Sequence, residues 1–230
     1  MVMIPHFRFG RAVAVRNIML LLVAVDLALV VLASAGAESP LTMPGGKAYV
    51  IEAAVPLAIY AVLLVSLFGF LLKDQVPAMD VGTSAGVICG LVLITHMFLE
   101  NFGDRVGENS IVTLVFMLAG FLVWGVAGWR AYRECGTLTA GISASSAGAM
   151  ISVLMAVTFG LILSAANTPP PNYVATWSEF KSSGWSSPRA FGIANCFEAV
   201  LSHLVTGPIA GTIFGLLGVA IARLQATGTR

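Results

Sequence analysis

Six apolar stretches dominate this chain of 230 residues: Ile18 to Ala35, Tyr49 to Leu72, Val81 to Leu99, Ile111 to Trp129, Ala140 to Ala166 and Ala190 to Leu224. Each approaches or exceeds the ~20 residues that a helix needs to cross a hydrocarbon core ~30 Å thick. Inside lipid a spanning segment must satisfy its own backbone N–H and C=O groups, which makes helices of such stretches. Charged residues form 10% of the chain and hydrophobic ones 58%, against about 25% charged in a soluble domain. The expected fold is all-α, a polytopic membrane protein built as a bundle of about six transmembrane helices, with residues 1–230 forming a single transmembrane domain.

Small residues say how those helices meet. In the fifth stretch Ser152, Ala156, Gly160 and Ser164 recur every four positions between Val, Leu, Met, Ile and Phe. Two further series obey the same spacing: Gly82, Gly86, Gly90 and Gly207, Gly211, Gly215. Such a series lines up as a strip on one helix face and lets another backbone come close, which is how helices associate where lipid is as apolar as leucine. Helices three, five and six are therefore expected to pack tightly.

The basic residues set an orientation. Arg8, Arg11, Arg16, Lys73, Arg130, Arg133, Arg223 and Arg230 fall on one side of the membrane, and Lys47, Arg105, Lys181 and Arg189 on the other. By the positive-inside rule the richer side is cytoplasmic, giving two cytoplasmic termini in a bacterial-type inner membrane. Arg8, Arg11 and Arg16 ahead of the first stretch, and Ala33-Ser34-Ala35 after it, also suit a signal peptide; Asp26 interrupts its apolar core, so a retained helix is expected. A net charge of +1 without a basic patch gives no footing for nucleic acid. The expected partners are the lipid bilayer and either other membrane subunits or further copies of the chain. Cys89, Cys135 and Cys196 fall at different depths, so no disulfide is expected.

The connections carry their own signals. Pro40, Pro44 and Gly45-Gly46 mark a loop, and Pro169-Pro170-Pro171 stops the fifth helix. Across 172–186, Tyr173, Trp177 and Phe180 recur at helical spacing with Trp185 beyond, which fits an outer interfacial helix or an irregular loop with aromatic anchors. Ser187-Pro188 reads as an N-cap followed by a proline in the first turn. Prolines 56 and 208 lie inside helices two and six, where bends are expected.

Chemistry is sparse. The sequence holds no P-loop, dinucleotide fingerprint, CxxC pair or HExxH. Ser145-Ser146-Ala147-Gly148-Ala149 with His203 superficially resembles the serine and histidine helices of rhomboid proteases, but Ala147 occupies the position of the nucleophile. Asp26 is an intramembrane carboxylate, suited either to proton or cation handling or to a helix–helix contact. Glu52, His96, Glu100, Glu198 and His203 share the outer half of the membrane and form a candidate polar or ligand cluster for a metal or solute. Against that stand near-surface acids and satisfied core histidines. His96 and His203 also permit a b-type haem between helices three and six, provided that both rings face one cavity.

Two classes of function remain open on the sequence: a non-enzymatic membrane subunit that packs into an oligomer or larger complex, and a small-solute or ion carrier using the outer cluster. In helix number and small-residue strips the chain is broadly similar to the substrate-binding components of energy-coupling-factor transporters, a likeness at the level of the fold.

Overall fold

The apolar stretches fold as long helices in a computed structural model that describes residues 6–70, 76–102, 110–166 and 169–227. In chain order these are α1 (His6–Ala33), α2 (Gly46–Phe70), α3 (Val76–Phe102), α4 (Ser110–Cys135), α5 (Leu138–Ala165), the short α6 (Pro171–Val174) and α7 (Ser178–Ser183), and α8 (Pro188–Thr227). Six of them, α1 to α5 and α8, are long and apolar enough to span a membrane. The chain is thus an all-α polytopic bundle. Several helices outrun their apolar stretches: α4 continues through Arg130 and Arg133 to Cys135, and α8 reaches Thr227. A helix does not end where its side chains turn polar, only where a breaker or cap ends it.

The bundle is a ring around one helix. α5 packs against α1, α3, α4 and α8, and the ring closes through α1 with α3, α3 with α4, α4 with α8, α8 with α2, and α2 with α1. Its apolar window is 72% buried, against 22–33% in the other five spans, so it occupies the middle. The sequence of α5 explains this placement. The four-residue ridge extends back from Ser152 through Gly148 and Ala144 to Ala140, and a second one runs through Gly141, Ser145 and Ala149. Small residues on two sides and large apolar ones on the rest suit a helix enclosed all round.

The three predicted strips are used inside the chain. A methyl group added at Gly82 would strike the Ala144 carbonyl of α5 at 2.5 Å, and one at Gly86 would meet Ile151 Cβ at 2.7 Å and the Gly148 carbonyl at 2.8 Å. At Gly90 it would meet Met155 Sδ at 2.6 Å. On the other flank Gly207 faces Val153, Gly211 faces Ala149 and Gly215 faces Ser145. Gly160 sits where α3 and α8 converge, beside Met97 and Cys196; Ser152, Ala156 and Ser164 are buried. A further close seam joins α4 to α8, where Gly128 meets the Gly215 backbone and Gly218 meets the Gly125 carbonyl.

Turns and caps follow local chemistry. Between α4 and α5, Gly136 takes φ 73° and its N–H bonds the Tyr132 carbonyl at 2.7 Å, while Thr137 caps α5 by accepting from Ala140 N. Ser187 caps α8 through Ala190 N at 3.2 Å. The segment 172–186 does not form one interfacial helix: Trp177, with ψ 137°, separates α6 from α7. Its aromatics pack onto the bundle, with Trp185 edge-on to Tyr49 and Phe191, and Phe180 against Phe191. α8 runs unbroken through Pro208 for 40 residues, about 60 Å at 1.5 Å per residue.

Candidate functional site

Two ends of the bundle can be named from this fold: a terminal end, where α1 begins and α8 finishes, and a loop end, which carries the α1–α2 connection, α6 and α7. Met97 of α3 and Cys196 of α8 both flank Gly160, so His96 and Glu198 lie at similar depth towards the loop end. Tyr60 of α2 meets Leu204 of α8; both helices descend from the loop end, which puts Glu52 level with Cys196. Glu52, His96 and Glu198 thus fall near one level, while Glu100 lies a turn nearer the loop end and His203 lies deeper than Glu198 by about 7.5 Å at 1.5 Å per residue.

Their directions differ. His96 turns towards α4: its Nε2 lies 3.3 Å from Thr113 Oγ1 and 3.3 Å from Glu100 Oε1, and its ring packs against Phe116 at 5.0 Å. One N–H can be shared between those two oxygens, which leaves Nδ1 outside the described bonds. Glu198 is exposed on the outward face of α8 and makes no hydrogen bond or ion pair among the described residues. His203, also exposed, engages only its own helix, Nδ1 to the Ala199 carbonyl at 2.7 Å. Glu52 is half-buried on α2 and makes no described side-chain bond.

Convergence of all five is the part of the expectation that needs correction: His96, Glu100 and Thr113 form one small group, and no described contact joins Glu52, Glu198 or His203 to it. The reason is angular. On α8, Glu198 and His203 are five residues apart, about 140° round the helix at 100° per residue, so they address different neighbours. Among the described residues no three His, Cys, Asp or Glu side chains come together as a metal site requires. Nor does a described contact link His96 with His203 as axial partners. The serines of the protease-like stretch serve packing: Ser145 Oγ lies 2.8 Å from the Trp124 carbonyl and 2.7 Å from that of Gly211, and Ser146 pairs with Thr212 at 2.9 Å.

Two further arrangements bear on function. Asp26 is wholly buried in the α1–α5 seam, with Oδ1 2.6 Å from Thr158 Oγ1 and Oδ2 without a partner. The outward face of α8 changes character along its length. Towards the loop end it presents Asn195, Glu198, Ser202 and Thr206, and towards the terminal end Ile209, Ile213, Leu216 and Leu217, all exposed. Ser202 and Thr206 turn their hydroxyls back to the Ala199 and Ser202 carbonyls. Asn195 and Glu198 have no such outlet.

The fold and these polar groups define the class, an all-α polytopic membrane protein. Compared with protein-family models, with curated proteins and with solved structures, the chain matches none.

Proposed function

We propose that this chain is a non-enzymatic membrane subunit that docks through the loop-end half of α8, onto a transmembrane segment bearing a cationic or hydrogen-bond-donating side chain. One observation carries the reading: Glu198, ten residues into an apolar span, is exposed and unpartnered among the described residues. A charged group within the hydrocarbon region costs ~2.5–3.5 kcal/mol on insertion scales and is met in membrane proteins facing a partner or water. The small-residue strips do not supply the docking surface, since α3, α4, α5 and α8 consume them among themselves.

The carrier reading has less behind it. The group His96, Glu100 and Thr113 is bonded within itself, and a loop-end pocket lined by Ser164, Pro171, Arg189 and Gly192 has room for about one water, ≈ 10 Å³. The bundle's middle is filled by α5. A bacterial inner membrane with both termini in the cytoplasm is the setting that the arginine-rich terminal end supports.

Photo-crosslinking in native membranes tests the proposal. A photoreactive residue at position 202 is expected to trap a protein partner, and the adduct to be lost when Glu198 is also changed to Leu. The same probe at Leu118, exposed on α4, should trap lipid only. If position 202 also traps only lipid, the subunit reading falls.

A further inference from the structure

The proposed docking surface makes no use of Asp26. Asp26 lies seven residues from the loop-end terminus of α1 with none of its surface exposed, packed where Met19, Val23 and Val30 of the same helix join Leu154, Val157 and Leu161 of α5 in one apolar cluster. α1 packs against α5, α2 and α3. α5 contains no Asp, Glu, His, Lys, Arg, Tyr or Cys. On α2, Tyr60 directs its hydroxyl to the Leu204 carbonyl of α8, and on α3, His96 and Glu100 are joined to each other. Glu52 of α2 and Cys89 of α3 have no described bond to Asp26; Asp80 lies on the first turns of α3, near the terminal end, with its own partner. Thr158 is the side chain placed in hydrogen-bonding reach of Asp26 among the described residues.

The unbonded Oδ2 and the proton count together bear on the state of this pair. Thr158 Oγ1 lies 2.9 Å from the Leu154 carbonyl, the usual back-bond of a helical threonine, and 2.6 Å from Asp26 Oδ1. The hydroxyl has one proton for two oxygens that, with an ionised Asp26, would both be acceptors. With Asp26 ionised, Thr158 Oγ1–H donates to Asp26 Oδ1; with an acid proton on Asp26, Oδ1–H would donate to Thr158 Oγ1 and Thr158 to Leu154 O, one proton for each contact. The remaining Oδ2, which lacks a partner, is then a neutral carbonyl oxygen, far cheaper to leave unbonded in an apolar seam than half of a carboxylate.

We infer that Asp26, Thr158 and the Leu154 carbonyl form a proton-binding site in the membrane interior, whose proton is released only when α1 separates from α5. On release the Asp26 O–H bond breaks, the electron pair stays on the carboxylate, and the proton passes to a water admitted to the opened seam. The ligand is a proton drawn from water. The site couples its occupancy to the docking of α1.

Infrared spectroscopy of the full chain in lipid bilayers at neutral pH tests this. The expected result is a C=O stretch of a protonated carboxyl that is absent in Asp26→Asn and moves to higher frequency in Thr158→Val, where the hydrogen bond is lost. Aspartate labelled with ¹³C at the carboxyl must shift the same band in the wild type, an arm that needs no variant to fold. After transfer to D₂O the band should respond more slowly than the loop-end amides, because exchange waits for the seam to open. Without an aspartate-dependent acid band, Asp26 is ionised and the proposal is overturned. A band that exchanges as fast as the loop amides overturns the gating by α1.

Discussion

Tyr60 on α2 donates its hydroxyl to the main-chain carbonyl of Leu204 on α8, 2.7 Å away and buried. That carbonyl needs a donor from outside its helix because the residue four positions on is Pro208, which has no N–H to give. A proline inside a membrane helix is tolerated where a neighbour re-satisfies the freed backbone group. The bond satisfies the carbonyl that Pro208 frees inside the continuous α8, and it pins the ring between α2 and α8.

Tyr60→Phe should therefore destabilise the bundle by about 1–3 kcal/mol, the cost of leaving a buried polar group unsatisfied. Pro208→Ala returns an N–H to Leu204. In the Pro208→Ala background, Tyr60→Phe should cost clearly less, and a double-mutant cycle of unfolding in mild detergent measures the difference. Equal costs in both backgrounds would mean that the Leu204 carbonyl does not depend on Tyr60.

Glycines in the seams should resist enlargement. Gly86→Leu and Gly211→Leu force a side chain into α5, and Gly218→Leu forces one into the α4 backbone; overpacking of this kind costs roughly 1–3 kcal/mol or more. Ile213→Ala and Leu118→Ala act on exposed, outward-facing positions and should change stability by less than about 0.5 kcal/mol. Thermal midpoints and monodispersity of the two sets, compared in one detergent, decide it.

Spacing made the bundle legible because periodicity is a property of one helix, while the partners of a face are a property of the fold. The strips of Gly82, Ser152 and Gly207 could be found by counting fours. That α5 is central could not, since it depends on which helices surround it; once enclosed, even Leu161, between ridge positions, is fully buried. The α4–α8 seam was hidden because Gly125 and Gly128 are three apart and alone. Asp26 stood out as a polar residue in an apolar run, but Thr158, a residue outside the strip, gave no signal of pairing with a helix 132 positions away. For the five residues of the candidate cluster, approximate depth follows from residue number whereas direction requires the neighbours, and in direction Glu198 and His203 part from His96.

The pair His96 and Glu100 gives a modest effect by the same reasoning. Their side chains are 13% and 35% exposed, close enough to water for screening, and partly exposed pairs contribute ~0–1 kcal/mol. Glu100→Gln is expected to lower stability by less than about 1 kcal/mol. His96→Ala should cost more, since it also removes the ring from Phe116 and the contact with Thr113. Unfolding of both variants alongside Thr113→Val separates the contact within α3 from those across to α4: if Glu100→Gln proves the more damaging, the His96–Glu100 contact within α3 outweighs the ring's contacts with Thr113 and Phe116 of α4.

Orientation can be tested with Cys135 and one introduced cysteine. Cys135 lies at the terminal end, half-buried just before the turn at Gly136, and Cys89 is buried within α3. Lys181 sits on α7 at the opposite end, exposed beside the membrane-spanning part. Arg130, Arg133 and Arg223 lie at the same end as Cys135, the guanidiniums of Arg133 and Arg223 over the rings of Trp129 and Tyr132 at 5.4 Å each. Aromatic rings and arginines at one level mark a membrane interface, and an arginine-rich one belongs on the cytoplasmic side. In intact cells a membrane-impermeant maleimide should thus leave Cys135 unmodified and label Lys181→Cys, while permeabilised cells expose both. Labelling of Cys135 from outside would overturn the proposed orientation and place the face of α8 that carries Glu198 in the inner half of the membrane.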